Sequence, residues 1–377
     1  MNLEIEFTAH FGYPPEHIIR APGRVNLIGE HTDYNDGFVL PMAINRETRI
    51  AARRRNDRLI RMLALDLGNR HAEFSLDTIT RDDIQKWSNY IRGVALMLER
   101  RGIRLPGLDI AMHGNVPIGS GLSSSAALEV CAATTLQTFA GFEMSRVELA
   151  QLCQQAENEF VGVKSGIMDQ FISALARADH ALLVDCRDLS YRNVPLPRGA
   201  TIVVCDTMKR RGLVDSEYNK RRAECEQAAH ALGVKALRSA SLDQFTRLEK
   251  ELPLNVAKRA RHIITENVRV LQAVAAAEKN DLFDFGALMN ASHESLKNDY
   301  AVSCVELDTM VELARSQAGC LGARLTGAGF GGCTVNLVRD DTVDAFTVNV
   351  AHEYQIRTKI ASQIYVCRAM DGASIVK

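Results

Sequence analysis

Gly119-Ser120-Gly121-Leu122-Ser123-Ser124-Ser125-Ala126-Ala127 is the stretch on which the fold turns. Ahead of it, Leu108 to His113 alternates apolar and polar residues, as a half-buried strand does. Behind it, apolar residues at 127, 128, 131 and 135–136 have the spacing of a helix with an apolar stripe. The middle is too rich in glycine and serine to be either. A strand, a flexible turn and the first turn of a helix make an anion site. The free amides of the helix start point outward, and the helix dipole adds partial positive charge. Gly119 and Gly121 let the backbone come close to a ligand. The serine hydroxyls supply further donors, or an oxygen ligand for a hard cation. An ordinary P-loop is excluded, because no lysine follows Gly121. A capped helix start would account for one serine. Three in a row behind Gly-x-Gly favour a phosphate cradle.

Upstream, a short helix and Gly12-Tyr13-Pro14-Pro15 lead into Pro22-Gly23-Arg24-Val25-Asn26-Leu27-Ile28-Gly29-Glu30-His31-Thr32-Asp33-Tyr34. Val25 and Leu27 suggest a brief strand that delivers the polar cluster Glu30, His31, Thr32 and Asp33. A solvated loop is the plain alternative, but a guanidinium beside two carboxylates points to an ordered network. Asn35-Asp36-Gly37 is a hairpin turn signal, with Phe38-Val39-Leu40 as the return strand and Pro41 confining it to an edge or bulge. Residues 53–58 are basic but contain Asn56-Asp57, so they read as a solvated hairpin tip. Asp82 to Arg100 reads as a helix burying Trp87, Ile91, Val94, Ala95 and Leu98.

Downstream, Ser145 to Gly162 reads as a helix with Leu149, Leu152, Cys153, Ala156 and Phe160 inside. Glu157 borders that stripe and should face a crevice, where a carboxylate is costly unless it meets a cation. Glu159 should be exposed. Asp169 stands in the first turn of a third helix. On spacing alone it reads equally as a capping acid or as a functional carboxylate. The character changes after His180, and a boundary between residues 1–185 and 186–377 divides the chain. Four long helices follow, over 216–232, 254–279, 281–296 and 305–317. Tyr218 reads as an exposed aromatic on the first of them, and residues 209–211 and 220–222 as solvated basic faces. Gly327-Ala328-Gly329-Phe330-Gly331-Gly332 satisfies Gly-x-Gly-x-x-Gly. A strand follows it instead of a helix, and Asp340 and Asp341 come too early, so a dinucleotide site is rejected. A tight strand-to-strand turn, or a loop admitting another backbone or a substrate, remains.

The 377 residues suffice for two cores, and a net charge of -1 gives no bulk attraction for nucleic acid or a membrane surface. Nine cysteines, an odd number without a Cys-x-x-Cys pair, argue for reduced thiols and a cytoplasmic setting. Glu4, Glu6 and His10 argue against a secretory leader. No nucleic-acid or membrane partner is expected, and the chain is expected to be a monomer or weak oligomer.

Three segments together (22–34, 119–127 and 325–332) carry a family likeness, supported by Gly166-Ile167-Met168-Asp169-Gln170 and Ser216-Glu217-Tyr218-Asn219. The chain resembles the GHMP small-molecule kinases, and within them the galactokinases, over nearly its whole length. The likeness implies a two-domain α+β fold with the active site between the domains. It implies transfer of phosphate from ATP, with Mg²⁺, to the anomeric hydroxyl of α-D-galactose. Carried over by position, Gly119, Ser120, Gly121, Leu122, Ser123, Ser124 and Ser125 would cradle the triphosphate, while Ser125 and Glu157 would hold Mg²⁺. Asp169 would face the C1 hydroxyl, as a base or as an orienting group, with Arg24 beside it and the moving phosphoryl group. Glu30, His31, Thr32, Asp33 and Tyr218 would line the sugar. One departure is Lys164-Ser165, where galactokinases often have asparagine or proline followed by cysteine. A kinase for a related sugar, such as N-acetylgalactosamine, and a non-catalytic sugar sensor on the same fold are the competing readings. The uninterrupted serine run speaks against the sensor.

Overall fold

Strand His17–Asn26 pairs antiparallel with Pro41–Arg54, and a bulge between Pro22 and Arg24 turns the Arg24 side chain toward the serine loop. In this computed structural model, which describes residues 2–210 and 214–377 (only the backbone of 214–216), these two strands are central to a six-stranded sheet. Its order is Ser374–Ile375, His17–Asn26, Pro41–Arg54, Leu108–Gly114, Leu59–Ala64 and Arg70–Ser75. Pro41 is the first residue of an interior strand, a place where a missing N–H does little harm. Phe38–Val39 is not the return strand; it pairs with His180–Asp185. The turn at 55–58 is not a hairpin tip either. Leu108–Gly114 lies between the strands it joins, and Arg55 and Arg61 both bind Asp109, which is buried. Leu108–Gly114 therefore buries Asp109 as well as its apolar residues, because that acid is paired.

Helices Asn89–Arg100, Ser124–Ala140, Arg146–Ala156 and Met168–Leu175 cover this sheet, and their apolar faces form its core. Trp87 lies just before the first of them, in a short 3₁₀ turn. A second sheet, Cys320–Thr326, Cys333–Arg339, Ala200–Asp206 and Gln363–Cys367, is antiparallel throughout. Leu254–Glu278, Leu282–Ser295, Val305–Ser316 and Val343–Thr358 are the long helices of this half, with Val214–Ala231 ahead of them. One apolar cluster spans both halves: Val25, Leu27, Leu122 and Ala127 meet Val270, Phe285, Cys333 and Val335. A cavity lined by both halves opens beside that junction. Arg211, in the basic run 209–211, lies outside the described residues, as does the side chain of Ser216. Lys209 is ion-paired with Glu306 and Arg210 with Asp206.

Candidate active site

Strand Leu108–Gly114 ends, the loop turns through Gly119 and Gly121 at positive φ, and helix Ser124–Ala140 begins. The Leu122 side chain is fully buried, and burial of a leucine is worth about 1.5–3 kcal/mol, so it anchors the loop. The Leu122 carbonyl takes the Arg24 amide at 3.1 Å. Ser120 is also buried, its hydroxyl donated to the Pro117 carbonyl at 2.8 Å. The side chains of Leu122 and Ser120 therefore do not line the cavity. Gly119, Gly121, Ser123, Ser124 and Ser125 remain, along one wall of a cavity of about 470 Å³.

Asp169 faces that wall from helix Met168–Leu175. Arg24 grips it with two parallel bonds, Nε to Oδ1 and Nη2 to Oδ2, each 2.8 Å. The third guanidinium nitrogen donates to the Gly121 carbonyl at 2.5 Å. Ser123, at φ +63°, gives its hydroxyl to Asp169 rather than to a cap bond. Asp169 is thus no mere helix cap: a planar guanidinium fixes its carboxylate plane at the mouth of the loop.

The polar cluster after Gly29 forms the floor. Glu30 Oε1 accepts from the Gly327 amide at 2.7 Å and the Thr326 hydroxyl at 3.1 Å, with Arg324 3.4 Å away. His31 Nδ1 meets the Tyr34 hydroxyl at 2.8 Å, and Tyr218 packs on both rings at 5.7 and 5.1 Å. Tyr218 is therefore a half-buried cavity residue and not an exposed one. Asp33 lies so close to Gly166 that a Cβ there would stand 1.8 Å from Oδ2. Burial, then the charge of Asp169, pushes the Asp33 carboxyl up to about 7. Thr32 is the exception: it is fully buried and spends its hydroxyl on the Gly29 and Phe38 carbonyls, shaping the turn without lining the cavity.

Glu157 is buried, as its place at the edge of the apolar stripe suggests, and Glu159 is exposed. The helix ends in a π turn, Glu157–Val161, which stops at Gly162. The Ser165 hydroxyl and Gln170 Nε2 donate to Glu157 Oε2, the latter at 2.9 Å. Burial still holds its carboxyl above the usual range, while the Ser125 hydroxyl pulls the other way. Sequence reasoning missed Ser165 and Gln170; the Lys164-Ser165 departure beside Gly166 was the available signal. It also missed Tyr90 and the exposed Ile118, which line the outer wall. From the second half come Tyr218, Asn219, Gly327 and Ala328, so both halves of the chain build one cavity.

A cradle at a helix start, a clamped carboxylate opposite it and a polar floor define a small-molecule kinase of the GHMP type. The models for the GHMP kinases N terminal domain and for GHMP kinases C terminal match residues 89–177 and 273–355, and the galactokinase galactose-binding signature matches 5–54. Galactokinase of Roseiflexus sp. (strain RS-1) is 52% identical over 380 residues, covering 100% of this chain and 97% of its own. Galactokinase of Chloroflexus aurantiacus is 51% identical with the same coverage. The crystal structure of Lactococcus lactis galactokinase complexed with galactose superposes with a TM-score of 0.94 at 39% identity, covering 99% of this chain and 98% of that one. Methanococcus jannaschii mevalonate kinase, at 22% identity and a TM-score of 0.66 over 94% and 99% of the two chains, shares the fold. The chain belongs to the galactokinase family.

Proposed function

We propose that Asp169 and Arg24 form the catalytic pair of this enzyme, a kinase that phosphorylates galactose with ATP to give galactose 1-phosphate and ADP. The observation that carries this is the bidentate Arg24–Asp169 clamp, set against the amide-rich mouth of the serine loop. The triphosphate lies along Gly119, Gly121 and Ser123–Ser125, its charge met by helix amides and hydroxyls. Tyr90 and Ile118 give the outer wall an apolar surface suited to a base. Glu30, His31, Asp33 and Tyr218 line the sugar. A buried polar group left unpaired by the wrong epimer costs about 1–3 kcal/mol, which is the basis of selectivity here.

The anomeric oxygen attacks the γ-phosphorus, and the bond to the β–γ bridging oxygen breaks. Asp169 accepts the hydrogen of the C1 hydroxyl and aims its oxygen. Arg24 keeps that carboxylate in plane and adds positive charge beside the transferring group. The transition state is loose, so positioning and charge neutralisation carry most of the catalysis. Mg²⁺ fits the donors present. Glu157 and the Ser125 hydroxyl are hard oxygens beside the cradle, and this cation is commonly held by one or two carboxylates plus substrate phosphates. Bound there, it neutralises the phosphate oxygens.

The same proposal takes residues 1–185 and 186–377 as two domains joined at the hairpin of His180–Asp185 and Ser190–Pro195, with the cavity between them. It places the enzyme in the cytoplasm as a monomer or weak oligomer, in keeping with its nine free thiols. Among the described residues, no helix is long and apolar enough to cross a membrane. An ATP-consumption assay over galactose, N-acetylgalactosamine and arabinose tests the substrate. Galactose should give the highest kcat/KM, and no turnover of galactose above a sugar-free control would refute the proposal.

A further inference from the structure

Gln170 follows Asp169 in the helix and is completely buried. Its single amide nitrogen donates to two carboxylates, Glu157 Oε2 and Glu129 Oε2, each at 2.9 Å. Glu129 is also completely buried, one turn beyond Ser125 in helix Ser124–Ala140, and it does not line the cavity. Two atoms of this group have no partner in the structure: Glu129 Oε1 and Gln170 Oε1. Both are acceptors when Glu129 is ionised, and a buried acceptor left unmet is costly. Both Gln170 N–H groups are committed, so turning its amide over would sacrifice two bonds to gain one.

We propose that Glu129, acting through Gln170, is a positioning residue for Glu157. A proton on Glu129 Oε1 resolves the two unmet atoms together: the acid donates to Gln170 Oε1 while its other oxygen accepts from Nε2. The carboxamide is then held at both ends, and its second N–H fixes the plane of the Glu157 carboxylate. The arrangement also ties Glu157 to the helix that presents Asp169. Complete burial favours the neutral acid. Glu129 touches no reacting atom; its effect passes through the amide. An ordinary stabilising role for a buried polar pair would account for the same bonds, so the test must read the metal site directly.

The inference rests on the proposal that Glu157 holds the cation. Calorimetric titration of Mg²⁺ into the ADP-loaded protein reads that site without turnover. Glu157→Gln should abolish metal-dependent binding; if it does not, the Glu157 assignment fails, whatever Glu129 does. Glu129→Leu should weaken Mg²⁺ binding about 10–100-fold, the usual effect of removing the support of a ligand, with galactose binding unchanged. Glu129→Gln, which can pair with Gln170 at both ends, should stay within about threefold of the parent. Gln170→Met should match Glu129→Leu, and the double variant should be no worse than either alone. The Gln170 variant keeps the test open if the leucine variant does not fold. Unchanged Mg²⁺ binding in folded Glu129→Leu or Gln170→Met would overturn the inference. So would a Glu129→Gln protein as impaired as the leucine variant, since Glu129 would then act as an anion.

Discussion

Two glycine-rich segments face the same cavity and do opposite work. Gly119 to Ser125 leaves space beside its backbone: a Cβ added at Gly119 would meet nothing within 4 Å. Residues 327–332 form the turn between Cys320–Thr326 and Cys333–Arg339, and there the space is filled. A Cβ at Gly329 would stand 2.2 Å from the Val302 carbonyl oxygen. The Gly327 amide is spent on Glu30. The open segment can receive an anion because space stands over its backbone, although the Ser120 and Ser123 hydroxyls are already donated. The closed segment has spent its donors to lock the turn that carries Glu30 to the second half of the molecule. Glycine spacing is alike in both; the element on the C-terminal side of the glycines, a helix in one and a strand in the other, decides which a segment becomes.

The strongest test removes the groups that face the open segment. Arg24→Ala should lower kcat by about 10³-fold or more, with a smaller change in the KM for ATP, because the guanidinium acts on developing charge and on the plane of Asp169. Asp169→Asn should lose about 10²–10⁴-fold in kcat while galactose still binds, as shown by calorimetry. An Arg24 effect confined to KM would make the clamp a binding device, and the contrast with the closed segment would vanish.

Next comes the closed segment itself. Gly329→Ala brings a Cβ into a backbone carbonyl at φ +80°, so the chain must shift. Overpacking and a left-handed alanine together should cost roughly 3 kcal/mol or more, read from urea unfolding. Because the shift reaches Glu30, the KM for galactose should rise more than that for ATP. An equal rise in both would show that the turn serves the whole cavity and not the sugar floor.

The long helices were legible because apolar periodicity over three or more turns is a strong signal: the expected 254–279 and 305–317 are found as Leu254–Glu278 and Val305–Ser316. The serine loop was legible because its neighbours declare a strand and a helix. Ser190–Pro195 escaped notice because only Val194 is buried in it, and a strand with one inward residue shows no alternation. Ser374–Ile375 was illegible for a different reason: two residues gain their identity only by pairing with Ile19 and Arg20, more than 350 positions away in the chain. Within the site, Arg24 and Asp169 each stood out alone, but nothing in their spacing says that they touch. Glu129 and Arg324 interrupt apolar runs, and nothing in the sequence marks them as buried; both are completely buried, beside the tertiary partners Gln170 and Glu30.

A gentler probe of the floor uses pH. Burial and the Asp169 charge raise the Asp33 carboxyl to about 7, so the folded chain carries it neutral where the unfolded chain, near 3.8, has already ionised it. Its contribution to stability therefore falls as pH rises from about 4 to 7, and Asp33→Asn should flatten that part of the urea-stability profile. The kcat/KM for galactose should rise through the same upper value as the ionised acceptor forms, and the asparagine variant should lose that limb. A limb near 7 that survives the substitution would assign the ionisation to another group.

The smallest effect is expected where the loop is most open. Gly119 has φ +71° but no neighbour for a Cβ, so Gly119→Ala carries only the left-handed penalty, about 1–2 kcal/mol, and no clash. If the amide direction at this position matters to the triphosphate, the KM for ATP should rise severalfold while that for galactose stays fixed, the reverse of the pattern expected for Gly329→Ala. A loop that served only to start the helix would lose stability and leave both constants where they were. The pair of alanine variants therefore separates a segment kept open for a ligand from one closed by its own backbone, using the same single added carbon.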